Sequence, residues 1–505
     1  MKGKLAAVIV WWAYSWSSSN PNIDISSHNP SYEVLRRIQT RSTSIYYSQN
    51  YPVRINRLKP YLESQTYSGF DRHFLSHQYP FGNKPLVDLV DSNRMHSFYL
   101  SPLIDAGYAE HRYDDSTYRS GEAGLGLRVY GEVKSSLVFF SRGRVFTEKT
   151  NKEQYSHQFD PDFGETCSVE KGAGDSLLDT RTCNRFEHYL FVDLPWFELK
   201  LGRDHLHMGP GYFSSLTAGR ETPPYYLIEA RIDFSNWFFL DNYFLKMTDT
   251  DHDVRKYAHI HRFEFKPSAS LSLAFQDAVI YQERDPDLKY ILPLTPLAFS
   301  EDNNGGRDND AMSFDVMFTG VPGLSVWGEV FIDDLLGPGA FFDDFWENRW
   351  AVLSGFQVVS PWPGADLDLV VEYSRVEPWT YTGRQDYTSF KHFNVPSASK
   401  LGPNSRSLDV KLSYRPFSFI EISEHFELTE KGSDRGSSLK DIHDSQGFDD
   451  PDTKDFLGGN TVEKHRLTHS VSGFWDQYLG GNVYVNQVFG DQEYFGFGGN
   501  VTFSW

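Results

Sequence analysis

Residues 408–428, LDVKLSYRPFSFIEISEHFEL, form two segments of alternating polarity joined by a short turn around Pro416. In the first segment, Leu408, Val410, Leu412 and Tyr414 alternate with Asp409, Lys411, Ser413 and Arg415. In the second, the apolar residues alternate with Glu421, Ser423, His425 and Glu427. Side chains of a strand point to its two faces in turn. The stretch therefore predicts two antiparallel strands, each with one apolar and one charged face.

The same alternation continues from residue 97 to residue 505 in segments of about ten residues, the length that a tilted strand needs to cross an outer membrane. Counting these segments predicts about 18 strands. Short connections alternate with long ones near residues 148–185, 205–224, 283–310, 379–405 and 431–463. A soluble β-sandwich does not require short and long connections to alternate. A transmembrane barrel does, because it has tight turns at one end and long loops at the other. We therefore predict an all-β fold, a transmembrane antiparallel β-barrel of about 18 strands.

The final segment ends in alternating Phe495, Phe497, Val501, Phe503 and Trp505. A terminal aromatic residue closing such a strand resembles the signal that the barrel insertion machinery reads. We therefore expect that machinery as a partner, together with outer-membrane lipid and lipopolysaccharide around the apolar face.

The composition agrees with a membrane barrel. Aromatic residues make up 16% of the 505 residues, with 40 Phe, 29 Tyr and 12 Trp. Rings at this frequency suit two membrane interfaces. A formal charge of -20 argues against nucleic acid as a partner. The same charge opposes binding of an acidic polysaccharide unless local Arg and Lys residues or bridging cations offset it.

The N-terminal region predicts export. A short apolar run at residues 5–14 follows Lys2 and Lys4, which is typical of a secretory signal peptide over residues 1–16. A buried first strand or helix is the alternative. Residues 26–80 favour a small periplasmic helical module, and residues 97–505 form the barrel, with its long loops extracellular.

The sequence contains a pair of cysteines, two pairs of histidines and two acidic runs that could form a disulfide or hold a metal ion. Cys167 and Cys183 are close together in a polar stretch and would pair in an oxidising compartment, with two free thiols as the alternative. The pairs His205/His207 and His259/His261 have no obvious third ligand, so we predict no metal site. Acidic runs at residues 301–310 and 449–455 offer oxygen ligands for Ca²⁺ without EF-hand spacing, but solvated acidic loops are the usual explanation for such runs. We therefore expect no cofactor.

Sequence motifs for catalysis are absent. The chain contains no GxSxG, HExxH or phosphate-loop motif, so we predict that it is not an enzyme. A barrel enzyme with a nucleophile and base at the outer rim is the less favoured alternative.

Two predicted loops combine aromatic and polar side chains in the way that sugar-binding surfaces do, because rings stack on sugar C–H faces while polar groups pair with hydroxyls. The candidates are Trp379, Tyr381, Arg384, Tyr387 and His392 in one loop, and Trp346 and Asp343 in the other. The alternative for each ring is packing within the loops or a place in the interface belt.

At these loops the sequence resembles the Wzi-type capsule assembly family of outer-membrane proteins. The motifs that carry the resemblance are EPWTYT (377–382), LGPNS (401–405), Gly202-Arg203, Gly209-Pro210-Gly211-Tyr212, TPP (222–224) and GEVFIDD (328–334), with a helical stretch over residues 32–62. Met208 stands where family members often carry Trp, and the cysteine-bearing loop has no counterpart in the pattern.

The resemblance implies a plugged 18-stranded barrel that acts as a surface lectin and helps to hold capsular or other surface polysaccharide on the cell. The rival interpretation is a porin or transporter, because about 18 strands leave room for a channel. The loop over residues 205–224, in which Gly209, Pro210, Gly211 and Tyr212 permit a sharp bend, discriminates between them: it either fills the lumen or leaves it open.

Overall fold

Most of the described chain is antiparallel β-structure. The structure, a computed structural model, describes residues 24–25, 31–45, 49–51, 53–54, 58, 62, 68–77, 85–91, 96–113, 116–134, 136–150, 167–170, 179–291, 297, 308–335, 341, 343–362, 364–442, 453–475, 478–491 and 493–504. The predicted signal peptide lies outside these residues, and the domain boundaries stay predictions.

Eighteen strands within the described residues close into one antiparallel barrel, which confirms the predicted fold and strand number. They are β1 (His96–Arg112), β2 (Thr117–Val133), β3 (Leu137–Thr150), β4 (Asp179–Leu194), β5 (Phe197–Asp204), β6 (Tyr225–Ser235), β7 (Phe238–Met247), β8 (Lys256–Ser268), β9 (Leu271–Gln282), β10 (Asn309–Val321), β11 (Leu324–Asp334), β12 (Arg349–Val359), β13 (Leu367–Val376), β14 (Ser405–Phe417), β15 (Ile420–Lys431), β16 (Val462–Phe474), β17 (Leu479–Gly490) and β18 (Tyr494–Ser504). Strand β18 closes the wall on β1, in a register that runs from Phe495 opposite Arg112 to Ser504 opposite Leu103.

Short elements complete the described structure. Strands Val87–Val90 and Cys167–Glu170 pair with β1 and β4. Two further two-stranded ribbons join Asp24–Ile25 to Val53–Arg54 and Lys391–His392 to Val395–Pro396. Short 3-10 turns cover Leu288–Tyr290 and Asp386–Thr388. Within the described residues, neither α-helix has the length and apolar character needed to cross a bilayer.

The two faces of the wall have opposite polarity. In β14, Leu412 and Tyr414 are 40% and 47% exposed, whereas Asp409 is 1% exposed. Apolar side chains therefore point outward and polar ones point into the lumen, as a membrane barrel requires. The same holds in β6, where Ile228 is exposed and Arg231 is buried.

The two ends of the barrel differ in their connections. At one end, here called the turn end, the connections are residues 134–136, 195–196, 236–237, 269–270, 322–323, 360–366, 418–419 and 475–478. Exposed aromatic residues ring this end: Trp196, Phe234, Trp237, Trp362, Phe417 and Trp475. At the opposite loop end, the connections are residues 113–116, 151–178, 205–224, 248–255, 283–308, 335–348, 377–404, 432–461 and 491–493. The aromatic ring at the turn end is typical of a membrane interface.

The helices lie inside the wall. Helix α1 (Ser31–Ser42) is buried on nearly every side, and its Arg37 pairs with Asp71 of α2 (Gly69–His77) and with Asp366 and Asp368 at β13. The sequence predicted a helical module ahead of the barrel. The structure instead encloses the helices, because α1 carries buried arginines whose carboxylate partners lie on the inner wall.

Residues 205–224 enter the lumen from the loop end and meet α1. Leu206, Met208, Tyr212, Phe213 and Leu216 are buried there in one apolar cluster with inward-facing residues of the wall. We call α1, α2 and residues 205–224 together the plug.

The plug covers the inner wall unevenly. On β13, the inward residues Asp368, Val370, Glu372 and Ser374 are all buried, and we call the inner wall of β8–β14 the filled side. On β18, Asn500 and Thr502 alternate with the outward Val501 and are nonetheless exposed. We call the inner wall of β16–β18 and of residues 105–111 of β1 the open side, because the inward Tyr99, Ser101 and Leu103 of β1 are buried.

Candidate functional site

The loop over residues 377–404 lies across the filled side at the loop end. Trp379 and Tyr381 both have positive φ, 68° and 74°, which turns their rings inward. Tyr381 is 0% exposed, its hydroxyl donates to the carbonyl of Leu216 (3.0 Å) and its N–H donates to Asp333 (2.7 Å). Trp379 is buried against Trp346 and Gly436. These two candidate sugar-binding residues therefore hold the loop on the plug.

His392 has a similar position. Its ring stacks on Tyr225 at 4.4 Å, and its Nδ1 accepts the N–H of Thr248 (2.9 Å). Burial lowers the pKa of His392 to about 3, so the ring is neutral at physiological pH. A buried neutral ring packed between two loops contributes to loop order.

Two other candidates reach the surface. Arg384 is exposed, and Tyr387 is half-buried with its ring 5.6 Å from that of His252 in a T-shaped contact. Gln385 lies between them and accepts a hydrogen bond from Gln282 (3.2 Å). We call Arg384, Gln385, Tyr387 and His252 the Tyr387 patch. It combines a ring with donors and acceptors that point to solvent.

A salt bridge braces the loop beside this patch. Lys440 Nζ lies 2.5 Å from Asp251, and this hydrogen bond holds the pKa of Asp251 below its ordinary value. The loops over residues 248–255 and 432–461 are thereby linked next to His252.

The remaining candidates lie on a second patch. Trp346 is half-buried with its ring 5.9 Å from Trp379, and the exposed Arg435 has its guanidinium 5.4 Å from the Trp379 ring. Asp343 is exposed on the same connection as Trp346. We call Trp346, Asp343 and Arg435 the Trp346 patch.

The bend of the plug loop is held by the wall. Gly209 has a φ of 93°, which favours glycine, and its N–H donates to Asn50 (3.3 Å). The carbonyls of Pro210 and Gly211 accept from Arg36 (2.7 Å) and Tyr32 (3.0 Å) of α1. Glu372 accepts the N–H groups of Tyr212, Phe213 and Ser214 at 2.5–3.0 Å. The Gly209–Tyr212 turn is thus fixed inside the barrel from both sides.

A cavity of about 460 Å³ remains between the plug helices and strands β14–β17. Its polar lining includes Glu33, Lys411, Ser470, Ser472 and Asn482. Burial alone would raise the pKa of Glu33, but Lys411 at 2.6 Å holds it below its ordinary value. The cavity lining also includes the charged Arg220, Glu221 and Glu421, so it combines charges of both signs with neutral hydrogen-bonding groups.

The histidines considered for metal binding have other partners. His205 Nδ1 lies 3.2 Å from the Thr222 carbonyl and His207 Nε2 lies 3.0 Å from that of Gly211. His259 Nε2 lies 3.1 Å from the Tyr281 hydroxyl, and His261 lies beside Asp277. Among the described residues, no group of three His, Cys, Asp or Glu side chains is arranged to hold a metal ion. Most of both acidic runs lies outside those residues.

The cysteines lie in the β4 region. Cys183 is buried and disulfide-bonded, and Cys167 is its antiparallel register partner. The chain contains two cysteines.

One cluster of aromatic residues was not predicted from the sequence. Tyr113 stacks on Tyr494 (4.9 Å between ring centroids) and touches Tyr118 edge-on (5.2 Å), and His111 stacks on Tyr494 (5.2 Å). These residues come from opposite ends of the barrel sequence and meet because β18 pairs with β1. Barrel closure was predicted, but the register of the closing pair could not be read from the sequence, so the cluster was missed.

Comparison with known proteins gives the following matches. The sequence profile of the family described as "Capsule assembly protein Wzi" matches residues 114–394. The structure is similar to that of Wzi from Escherichia coli, described as an outer membrane protein involved in group 1 capsule assembly and a carbohydrate-binding β-barrel. That match has 14% identity and a TM-score of 0.60, and it covers 95% of this chain and 98% of the other. At this identity the likeness concerns the fold.

Two further similar structures are those of Pseudomonas proteins. OccK7 (OpdD) of Pseudomonas aeruginosa has 10% identity and a TM-score of 0.47, covering 81% of this chain and 98% of the other. A BenF-like porin of Pseudomonas fluorescens Pf-5 has 8% identity and a TM-score of 0.48, with the same two coverages. None of the curated proteins compared with the chain matches it.

Proposed function

Because the chain belongs to the Wzi family of capsule assembly proteins, whose profile matches more than half of it, we propose that it is a non-enzymatic lectin of the outer membrane. It binds capsular or other surface polysaccharide through its loop end and helps to attach or assemble that polymer at the cell surface. In this orientation the loop end is extracellular, the turn end is periplasmic, and lipid and lipopolysaccharide surround the apolar wall.

One observation carries the proposal: two partly exposed aromatic patches lie at the loop end on loops that are braced by the plug. The Tyr387 patch and the Trp346 patch each place a ring beside charged or amide groups. Such a combination binds sugars by stacking on their C–H faces and by hydrogen bonding to their hydroxyls.

Rigid support strengthens this interpretation. Trp379 and Tyr381 are buried beneath the patches and tie their loop to Gly436 and Leu216. A ring that is held in place loses less conformational entropy when a ligand binds, so more of the contact energy appears as affinity. Binding of a repetitive polymer at two patches adds avidity.

The test uses the purified full-length protein in detergent and the surface polysaccharide of the producing strain, with planar-bilayer conductance recorded on the same sample. We expect saturable binding without steady conductance. Tyr387→Ala and Trp346→Ala should each weaken binding several-fold, since a stacked ring contributes about 1 kcal/mol. Trp362→Ala, at an exposed ring of the turn end, is the matched control and should bind as the wild type does.

A channel is the second candidate, and the open side favours it, because Asn500 and Thr502 leave exposed polar groups on the inner wall. Steady conductance with no polysaccharide binding would overturn the lectin proposal in favour of the channel.

A further inference from the structure

The rim of the barrel is low at one place on its loop end. Residues 113–116 and 491–493 are the shortest connections there, and they are neighbours because β18 pairs with β1. The loops over residues 205–224, 377–404 and 432–461 are far longer. The inner wall of the open side is therefore approachable from the loop end at this position.

Four rings line the low rim. His111, Tyr113, Tyr118 and Tyr494 are each half-buried, with the His111 and Tyr494 rings tilted by 33°, the Tyr113 and Tyr494 rings tilted by 32°, and Tyr118 edge-on to Tyr113. We call them the tyrosine tier. Ring stacks in a core bury their faces completely, whereas these rings keep part of their surface in contact with solvent. The tier is a platform of the kind on which a sugar ring stacks.

Two cationic side chains lie beside the tyrosine tier. Lys464 Nζ lies 5.9 Å from the centre of the Tyr494 ring, and Lys464 forms no ion pair within the part of the chain that the structure describes. Arg466, two residues further along the same inward face, lies 3.3 Å from Glu427 and remains 37% exposed. On the inward face these two cations lie near one carboxylate, whereas Asp491 and Glu493 are exposed on the rim connection itself. A carboxylate placed there would form charge-assisted hydrogen bonds.

Polar groups lie below the tier on the inner wall. Gly496 and Gly498 alternate with outward Phe495 and Phe497, and the rings of His111 and Tyr484 pack over these two glycines. Further down lie Asn500 and Asn482, and Asn482 also lines the cavity beside α1. Asparagine side chains that face the lumen offer donors and acceptors to sugar hydroxyls.

From these observations we propose that the open side carries a second glycan site, specific for a carboxylate-bearing sugar unit. The sugar ring stacks on the tyrosine tier, its carboxylate pairs with Lys464 and Arg466, and neighbouring units descend along β18. This inference rests on the proposed function and adds the ligand class to it. An acidic ligand can bind to a chain with a net charge of -20 if its carboxylate meets the inward Lys464 and Arg466 directly.

The experiment measures calorimetric binding of two probes to the full-length protein: an oligogalacturonate and a neutral gluco-oligosaccharide of equal length. The double variant Lys464→Gln/Arg466→Gln should bind the acidic probe about tenfold more weakly and leave binding of the neutral probe unchanged. Tyr494→Ala should weaken binding of both probes. Lys134→Gln, at an exposed lysine of the turn end, is the control. Affinity for the acidic probe should also fall with added salt.

The outcomes separate the two proposals. If the wild type binds neither the probes nor the polysaccharide of its own strain, the proposed function fails. If it binds that polysaccharide but both variants bind the acidic probe as the wild type does, this inference alone is overturned. Equal affinity of the wild type for both probes overturns the assigned ligand class. Displacement of the bound polysaccharide by lipopolysaccharide but not by oligogalacturonate would assign the site to the lipid's sugar.

Discussion

The filled and open sides of the lumen are built from the same alternating strands but differ in what their inward side chains contact. On the filled side, polar groups bond to the plug or to one another, as Glu372 does with three N–H groups and Arg262 with Asp315. On the open side, Asn500 and Thr502 face solvent.

This difference separates two uses of an inward polar residue. Loss of a hydrogen-bond partner is costly for a buried polar group, so the filled-side residues that bond to the plug stabilise it. A solvated polar group can bond to water instead and remains available to a ligand. Stability should therefore depend more on the filled side than on the open side.

The largest loss of stability should follow removal of the acceptor that holds the plug loop. Glu372→Leu leaves three buried N–H groups and the Trp327 indole N–H without their acceptor, and we expect a loss of about 5 kcal/mol. Urea unfolding in lipid vesicles measures it, and bilayer conductance should rise as the loop detaches. The control is Thr502→Leu on the open side, with a change below about 1 kcal/mol. Equal losses in both variants would contradict the division of the lumen.

A smaller loss should follow from breaking the link between plug and wall. Arg37→Leu leaves Asp71 and Asp368 buried beside a neutral residue, which costs about 3 kcal/mol. Arg142→Leu is the control, because Arg142 is 48% exposed and lies 3.7 Å from Glu187, so screening keeps its effect below about 1 kcal/mol.

The same link predicts a pH dependence. Burial alone would raise the pKa of Asp71, but Arg37 and Arg41 hold it below the ordinary value of 3.8. The stabilisation is therefore fully present above pH 3.8 and is lost as the pH falls through the lowered pKa. In Arg37→Leu the pKa of Asp71 is held down mainly by Arg41, so the acid-dependent loss should be smaller than in the wild type, which unfolding curves recorded across the acidic range would detect.

A substitution by Trp should lower the free energy of unfolding by about 2 kcal/mol more on the filled side than on the open side. Ser313 is buried on the filled side between Thr217 and Gln276, so Ser313→Trp overpacks the lumen and should lose about that much. Asn500 is exposed to solvent, so Asn500→Trp should leave the unfolding midpoint nearly unchanged. A loss at Asn500 as large as that at Ser313 would show that the open side is packed.

The smallest effect concerns two tyrosines of one loop. Tyr381→Phe removes the buried hydroxyl bonded to Leu216 and should cost about 1 kcal/mol without changing glycan affinity per folded molecule. Tyr387→Phe should leave stability unchanged, because its ring lies at the surface. If Tyr387→Phe lowered the unfolding temperature more than Tyr381→Phe did, the roles assigned to the two rings would be reversed.

The sequence predicted what depends on local pattern. Alternation placed Asp409 inward and Leu412 outward, and loop lengths distinguished the two ends, because both signals come from neighbouring residues. The position of α1 could not be predicted in this way. The spacing of Tyr32, Leu35 and Ile38 indicates a helix with an apolar face, but its enclosure depends on partners such as Asp368, more than three hundred residues away.

The candidate site shows the same limit. Tyr381 and Tyr387 are equivalent in sequence terms, yet one is buried by contacts with Leu216 and Asp333 while the other reaches solvent. The tyrosine tier unites Tyr113 and Tyr494 through the closing strand pair, whose register no local pattern encodes. Packing between distant loops therefore decides which aromatic residues can meet a ligand.

The pairing of β18 with β1 also constrains the order of assembly. Every wall strand is hydrogen-bonded on both sides once this seam forms, and α1 is then tied to β13 within a continuous ring of backbone. We expect the helix to be inside before β18 pairs with β1, because it would otherwise have to enter through one end of a closed wall. A chain arrested before β18 would expose an unpaired β1 edge and an uncovered plug at the same moment, the state most prone to aggregation. Pairing of β18 with β1 is thus the folding step after which α1 and the rest of the plug stay enclosed by the wall.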